Sequence, residues 1–166
     1  ITVVDTTDPV ISCAADVLDL ECGDSTDPAD TGMATATDNC STPTVTYSDA
    51  SDNGACVETI TRTWTATDAC GNTAQCTQTI RLTDTTDPMW VESLPADKTI
   101  ECDATVPAQA TLTATDACQG TATVTATSTS DLTGCGGTGT VTYSWMADDG
   151  CGNTISHTQT ITVVDT

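Results

Sequence analysis

The pentapeptide DTTDP occurs twice, at 5–9 and at 84–88, and each copy places two carboxylates close together. More Asp residues stand in the phrases TDNC (37–40) and TDAC (67–70), and the second half of the chain repeats this arrangement. Calcium takes six to eight oxygen ligands, mainly from carboxylates and carbonyls on flexible loops. The candidate calcium ligands are therefore Asp5, Asp8, Asp38 and Asp68, followed by Asp84, Asp87, Asp116 and Asp149.

A simpler interpretation of the same acids stays open. Asp and Asn are the usual residues of surface turns, where they hydrogen-bond to their own backbone and keep the surface hydrated. The chain contains no EF-hand loop, so no calcium motif decides between the two interpretations. Calcium is accordingly the one cofactor that the sequence suggests.

The elements that would position these loops are β-strands. Ile60, Trp64 and Ala66 alternate with threonines, and Val141, Tyr143, Trp145 and Ala147 repeat the pattern. Such alternation predicts half-buried antiparallel strands. In the first half we expect strands at about 9–13, 16–22, 33–38, 44–48, 57–67 and 74–83. Arg62 lies on the apolar face, where we expect its stem to cover Trp64 while its charged group reaches an acid. The predicted fold is all-β, with two tandem immunoglobulin-like (fibronectin III-like) β-sandwich repeats.

The tandem organisation follows from internal repetition. ITVVDT stands at 1–6 and 161–166, and the similar IRLTDT stands at 80–85. A period of about 80 residues is typical of tandem domains rather than of solenoid turns. We predict one repeat at 6–84 and another at 85–166, with residues 1–5 forming the last strand of a preceding repeat. The expected partners are further copies of this repeat in a longer chain or filament.

Ten cysteines compensate for a small apolar core. Ile, Leu and Val account for only 25 of the 166 residues and Phe is absent, a composition that on its own is typical of disorder. Disulfides contribute about 2–4 kcal/mol each and persist in oxidising compartments. We therefore expect an extracellular protein at a cell surface. The absence of CxxC and the single His157 argue against zinc and thioredoxin-like chemistry.

The two repeats predict the disulfide pairing in part. Cys13 aligns with Glu92 and Cys76 with His157, and the loss of both cysteines from one repeat indicates that Cys13 bonds to Cys76. Six cysteines allow 15 connectivities, so the other pairs depend on the predicted immunoglobulin-like topology. On that topology they are Cys22–Cys56, Cys40–Cys70, Cys102–Cys135 and Cys118–Cys151.

The frame DTTDP…ATDNC…TRTWTATDACGNTAQCTQTI is similar to hyalin-repeat-like, immunoglobulin-like modules. These modules recur in giant surface adhesins of Bacteroidota, including gliding-motility adhesins exported by type IX secretion. The resemblance covers both repeats and implies an extracellular stalk or filament without enzymatic activity. It also implies that an early cysteine pairs with one in the last strand, as Cys13 and Cys76 would. DTT at 5–7, DST at 24–26 and DTT at 84–86 resemble the O-glycosylation pattern of the same bacteria, which would place sugars on Thr6, Ser25 and Thr85.

Charge excludes several other functions. The formal net charge of −21 opposes binding to nucleic acid and to anionic membranes, and no apolar run is long enough to span a bilayer. One histidine and scattered threonines cannot supply a nucleophile with its base, so we expect no enzyme and treat His157 as a strand residue. The leading hypothesis is a structural stalk or filament segment of a surface adhesin that holds a binding tip away from the cell. The alternative is a calcium-dependent, lectin-like ligand-binding module, for which Trp90 is the candidate loop aromatic.

Overall fold

Alternating threonine produces the central strands, because β-branched residues favour extended backbone and every second side chain faces the core. The computed structural model describes residues 4–166, and only the backbone of Cys135. It divides into two compact units, Ile1–Asp84 (unit 1) and Thr85–Thr166 (unit 2). None of the helices in the described part of the chain has the length and apolar character needed to cross a membrane.

Unit 1 is built from two sheets. Its elements are β1 (Val10–Ser12), β2 (Val17–Glu21), α1 (Pro28–Thr31), β3 (Thr35–Thr37), β4 (Thr44–Ser51), β5 (Val57–Thr67) and β6 (Thr73–Thr83). β1 pairs antiparallel with β3, and the second sheet has the order β2-β6-β5-β4, in which β2 runs parallel to β6. The six predicted strands are all present, and the predicted all-β immunoglobulin-like class is confirmed. The short helix α1 was not predicted.

Unit 2 joins its strands into one six-stranded sheet. The elements are β7 (Met89–Trp90), β8 (Lys98–Glu101), β9 (Ala114–Asp116), β10 (Gly120–Asp131), β11 (Gly139–Asp148) and β12 (Thr154–Val164), with a 3-10 turn at Cys135–Gly137. The order is β7-β9-β10-β11-β12-β8. The first residues of β10 pair with β9 and the remainder with β11, so this strand passes from one layer of the sandwich to the other.

The two units have different side chains at one corresponding position of the core. Arg62 is 1% exposed in the core of unit 1, where its guanidinium makes two 2.8 Å bonds to the carboxylate of Asp49. The charged group thus reaches an acid, as expected from the sequence, and its Cζ also lies 4.6 Å from the ring centre of Tyr47 and 5.8 Å from that of Trp64. At the corresponding place unit 2 has Tyr143, which belongs to a cluster of apolar residues: Leu112, Val141, Tyr143, Trp145 and Ile161.

A disulfide joins the two sheets of unit 1. The predicted Cys13–Cys76 bond is present, connecting the residue after β1 to the middle of β6. Cys22 and Cys56 are also disulfide-bonded, and backbone hydrogen bonds hold them at Thr83 and Asp84, consistent with the predicted pair. In unit 2, Cys118 and Cys151 are both disulfide-bonded, again consistent with the predicted pair.

Two predicted bonds have a different outcome. Cys40 and Cys70 are exposed free thiols, so the bond predicted between them is not formed in this structure. Topology brings their loops to the same end of unit 1, but it does not determine whether the two sulfurs are joined. Cys102 is a free thiol near Gly136. The side chain of Cys135, its predicted partner, lies outside the described residues.

The segment before unit 1 carries one further prediction. Residues 1–5 were expected to form a last strand of a preceding repeat, but residues 1–3 lie outside the described part of the chain. Val4 and Asp5 belong to no strand.

Candidate cation site

Asp68 stands where β5 ends, and its carboxylate organises the loop that follows. Oδ1 accepts hydrogen bonds from the backbone N–H groups of Cys70 and Asn72, both at 2.8 Å. Oδ2 accepts a 2.7 Å bond from the side-chain amide of Asn72. Burial raises the pKa of Asp68, but these bonds outweigh it and hold the pKa below its usual range. The carboxylate is therefore charged and fixed in direction.

Asp38 stands at the end of β3 in the neighbouring loop. Its Oδ2 accepts from the N–H of Cys40 at 2.9 Å and from the N–H of Ser41 at 3.2 Å. Its Oδ1 is buried without a hydrogen-bond partner. Charged oxygens lose much solvation energy on burial, so such an atom needs a partner, either a water molecule or a cation.

Asp5 adds a third carboxylate from the segment that enters unit 1. Oδ1 accepts from the N–H of Thr7 at 3.0 Å, and its backbone oxygen accepts from the amide of Asn72 at 3.3 Å. Oδ2 is buried and has no hydrogen-bond partner, like Oδ1 of Asp38. One carboxylate oxygen from each of Asp5, Asp38 and Asp68 lies within 4.8 Å of the others. We call these three residues the Asp5 cluster.

Neither arginine in the described part of unit 1 neutralises the Asp5 cluster. Arg62 is paired with Asp49, and Arg81 donates from Nε to the backbone oxygen of Leu18. Three carboxylates are thus held together by hydrogen bonds alone. Oxygen-only donors of this kind suit a hard divalent cation.

Unit 2 repeats the same loop geometry. Oδ1 of Asp116 accepts from the N–H of Cys118 at 2.7 Å, and its Oδ2 is buried without a hydrogen-bond partner. Oδ1 of Asp149 accepts from the N–H of Cys151 at 2.7 Å, and Oδ2 accepts from the amide of Asn153 at 2.7 Å. Carboxylate oxygens of Asp116 and Asp149 lie within 4.8 Å of each other, and both side chains are 8% exposed.

The remaining predicted ligands are placed as follows. Asp84 is the sequence counterpart of Asp5, is the last residue of unit 1 and is 5% exposed. Asp8 and Asp87 are exposed and belong to neither carboxylate group. Each precedes a buried proline in the sequence. The structure therefore supports only part of the predicted ligand set.

A shared spacing, which the predicted site does not include, connects the carboxylates to the cysteines. Each of the four loop aspartates is followed two residues later by a cysteine, whose N–H donates to that aspartate: Asp38 and Cys40, Asp68 and Cys70, Asp116 and Cys118, Asp149 and Cys151. This is the local turn that Asp favours, so the D-x-C spacing itself was the available signal.

The thiol of Cys40 lies close to the Asp5 cluster. A hydrogen bond to the side chain of Asp5 is the main cause that raises the pKa of this thiol. Burial and the charges of Asp5, Asp38 and Cys70 act in the same direction. The thiolate form is therefore disfavoured next to the acids. The two thiols are near enough for the charge of one to affect the other.

Other candidate residues have ordinary surroundings. Thr6, Ser25 and Thr85 are all exposed, and the hydroxyl of Ser25 donates to Asp30 at 2.6 Å. Trp90 is half-buried against the apolar clusters of unit 2. His157 lies on β12, with its ring stacked on another aromatic residue of unit 2.

Comparison with known proteins supports the repeat interpretation for unit 2. Residues 91–163 match the model of a HYR-like domain with 4 cysteines. That range contains four cysteines of this chain: Cys102, Cys118, Cys135 and Cys151. Unit 1 has counterparts of all four, and Cys13 and Cys76 are an additional pair.

Comparison with solved structures gives a weak similarity, and comparison with curated proteins gives no match. The chain is similar to the crystal structure of human mucin-like protocadherin EC1-2, with 13% identity and a TM-score of 0.38. The similarity covers 95% of this chain and 99% of that chain. No curated protein matches this sequence.

Proposed function

We propose that this chain is a structural, non-enzymatic segment of a long repetitive adhesin on the extracellular surface. Its units would form part of a stalk or filament that holds a binding tip away from the cell. The HYR-like match and the disulfides support the extracellular module. The identical sequences at 1–6 and 161–166, with a similar one at 80–85, support a chain with further copies. A giant bacterial surface adhesin is the host protein that the sequence suggests.

Calcium binding at the loop ends is part of this proposal. The observation that carries it is the pair of buried carboxylate oxygens without hydrogen-bond partners, on Asp5 and Asp38, two residues that lie in one cluster with the fixed carboxylate of Asp68. The recurrence of such an oxygen on Asp116 adds support from unit 2. Water and backbone oxygens would complete the six to eight ligands. A bound ion would neutralise the acids and tie the entering segment to the two loops of unit 1.

A thermal melt of the whole chain tests calcium binding. We expect the melting temperature to rise in 1 mM calcium relative to EDTA, because a ligand at 100 times its Kd adds about 2.7 kcal/mol to stability. Asp38→Asn should reduce the shift that unit 1 contributes. Asp8→Asn removes an exposed acid outside the Asp5 cluster and should leave the shift unchanged. Equal melting temperatures in calcium and EDTA would contradict this part of the proposal.

The stalk role needs a separate test. Electron microscopy of the full-length protein at the cell surface should show thin fibres, whose length grows with the number of repeats. A compact particle independent of repeat number would overturn the stalk role, whatever the result with calcium.

O-glycosylation at Thr6, Ser25 and Thr85 is a further component of the proposal. All three are exposed, so an enzyme could reach them. Sugars on a stalk would add protection from proteases. Intact-mass measurement of protein from its native source should give a mass above that of the bare chain. Peptide mapping that finds three unmodified sites would remove this component.

The lectin-like alternative receives less support. It requires an exposed aromatic residue for stacking on sugars, and Trp90 is packed against core residues of unit 2. Binding to a glycan array in calcium but not in EDTA would nevertheless favour it over the stalk role.

A further inference from the structure

Unit 1 carries a dithiol where unit 2 carries oxidised cysteines. Cys40 and Cys70 are free and exposed, whereas their counterparts Cys118 and Cys151 are disulfide-bonded. The local backbone is the same in both units, because each cysteine N–H donates to the aspartate two residues before it. The two units thus differ in whether the cysteines of this loop pair are bonded.

The cysteines are mechanically connected to the carboxylates. The N–H of Cys40 bonds to Asp38 at 2.9 Å, and the N–H of Cys70 bonds to Asp68 at 2.8 Å. A bond between the two sulfurs would fix the two loops against each other, and with them the two carboxylates. Without that bond, like charges less than 4.8 Å apart favour separation of the loops.

We propose that the Cys40–Cys70 dithiol is a redox switch for the cation site of the Asp5 cluster, in which disulfide formation raises the affinity for calcium. This inference rests on the calcium binding proposed above. Buried oxygens without partners on Asp5 and Asp38 mark the position where a cation would bind. Unit 2, already oxidised, keeps its carboxylate pair fixed.

The chemistry requires a disulfide oxidant such as oxidised glutathione. One thiolate attacks the oxidant, forms a mixed disulfide and releases one reduced thiol. The second cysteine then attacks the mixed disulfide, closes the Cys40–Cys70 bond and releases the second reduced thiol. Two S–H bonds are lost from the protein, and the two electrons reduce one oxidant disulfide to two thiols.

Coupling between the two events is reciprocal. If the disulfide raises calcium affinity by some factor, calcium must favour the disulfide by the same factor. Fixing two of three ligands is a modest change, and we expect a factor of about ten, within the usual range of such couplings.

The experiment uses the whole chain equilibrated in glutathione buffers of set redox ratio, with calcium, with magnesium or with EDTA. Alkylation and mass spectrometry then give the oxidised fraction of Cys40 and Cys70. We expect calcium to shift their thiol–disulfide equilibrium about tenfold toward the disulfide relative to EDTA. An unchanged equilibrium in calcium overturns the switch.

Calorimetric titration with calcium separates this inference from the proposed function. The variant Cys40→Ser with Cys70→Ser should bind calcium in unit 1 about tenfold more weakly than the oxidised protein. Equal affinities would overturn the switch and leave the calcium site standing. No binding to either protein would remove the calcium site itself.

Asp5→Asn, with both cysteines present, should abolish the calcium-dependent shift in the redox equilibrium. Persistence of the shift would place its origin outside the Asp5 cluster and overturn the switch.

Discussion

The imidazole ring of His157 stacks on the indole of Trp145, with ring centroids 5.7 Å apart. Nε2 of His157 also lies 2.9 Å from the backbone oxygen of Pro95, so its N–H can donate there. In the strand register His157 pairs with Trp145 as Cys76 pairs with Trp64 in unit 1. The histidine therefore takes the place of a disulfide and attaches the last strand to the core by stacking and a hydrogen bond.

Restoring the disulfide in unit 2 should stabilise that unit. We expect Glu92→Cys with His157→Cys to form a bond equivalent to Cys13–Cys76, with a sequence separation of 65 instead of 63. The gain is at most about 4 kcal/mol from the restricted unfolded chain, reduced by the loss of the stacked ring and of the hydrogen bonds from Thr113 to Glu92. Chemical denaturation of the oxidised variant measures it.

His157→Ala is the control for this design, because it removes the stacking without adding a bond. It should destabilise unit 2, and the oxidised double variant should exceed both this control and the natural chain. A double variant that oxidises fully but is no more stable would show that the two units differ in backbone at this position.

The buried Arg62 makes unit 1 sensitive to loss of its partner. Asp49→Ser should destabilise the unit by about 3 kcal/mol, since it leaves a buried guanidinium without its carboxylate. The residues of unit 2 at these two positions are Ser128 and Tyr143, which face each other in the strand register. Arg62→Tyr combined with Asp49→Ser should therefore be less destabilised than Asp49→Ser alone. Urea unfolding of the three proteins tests this, and a double variant worse than the single one would contradict it.

A cavity in unit 2 marks a position where a ring is missing. Tyr47 lies 5.3 Å from Trp64 in unit 1, but Ala126 faces Trp145 in unit 2. A cavity of about 230 Å³ borders Ala126 and Trp145. Ala126→Tyr should fill part of it and add about 1 kcal/mol through the aromatic pair. Ala126→Ser changes polarity without filling the cavity and serves as the comparison. If the tyrosine variant is less stable than the natural chain, the surrounding backbone clashes with the added ring.

Glu92 should make unit 2 sensitive to acid. Its carboxylate accepts hydrogen bonds from the N–H and hydroxyl of Thr113, which hold the pKa of Glu92 below its usual range. The unfolded chain is therefore protonated first as pH falls. The contribution of the Glu92 carboxylate to the stability of unit 2 is fully present above the unfolded pKa of about 4.3. It is lost as pH falls through the lower pKa of the folded state.

Urea unfolding between pH 7 and pH 2.5 measures this effect. Glu92→Gln should lose less stability than the natural chain across the acidic part of that range. Asp103→Asn, which changes an exposed acid of the same unit, should follow the natural chain. If the free energy of unfolding fell equally with pH in all three proteins, Glu92 would have no role in the acid sensitivity of unit 2.

The strands could be predicted because the alternation of threonine with apolar residues is a local signal. β5 was predicted with its observed bounds, since Ile60, Trp64 and Ala66 all have threonine neighbours. α1 could not be predicted, because four residues give no helical periodicity. It is held by tertiary contacts, including the bond from Arg62 to the hydroxyl of Thr31.

The candidate cation site was predictable in outline only. The sequence indicated that Asp5, Asp38 and Asp68 would converge, because loops at one end of a sandwich are neighbours. It could not show that Asp5 joins the cluster and Asp8 does not, because that difference depends on the direction of an irregular segment. Whether Cys40 and Cys70 are bonded or free depends on the distance between their sulfurs, and no sequence pattern contains that distance.

The Cys13–Cys76 bond has a mechanical consequence for a protein under tension. A force applied along the chain passes from residue 13 directly to residue 76 and bypasses the 63-residue stretch between them. Roughly 220 Å of contour length is thereby withheld from extension, at about 3.5 Å per residue. Unit 2 has Glu92 and His157 at these positions, so its first and last strands can be pulled apart. The chain thus combines one inextensible link with one that can lengthen and absorb work when the load is high.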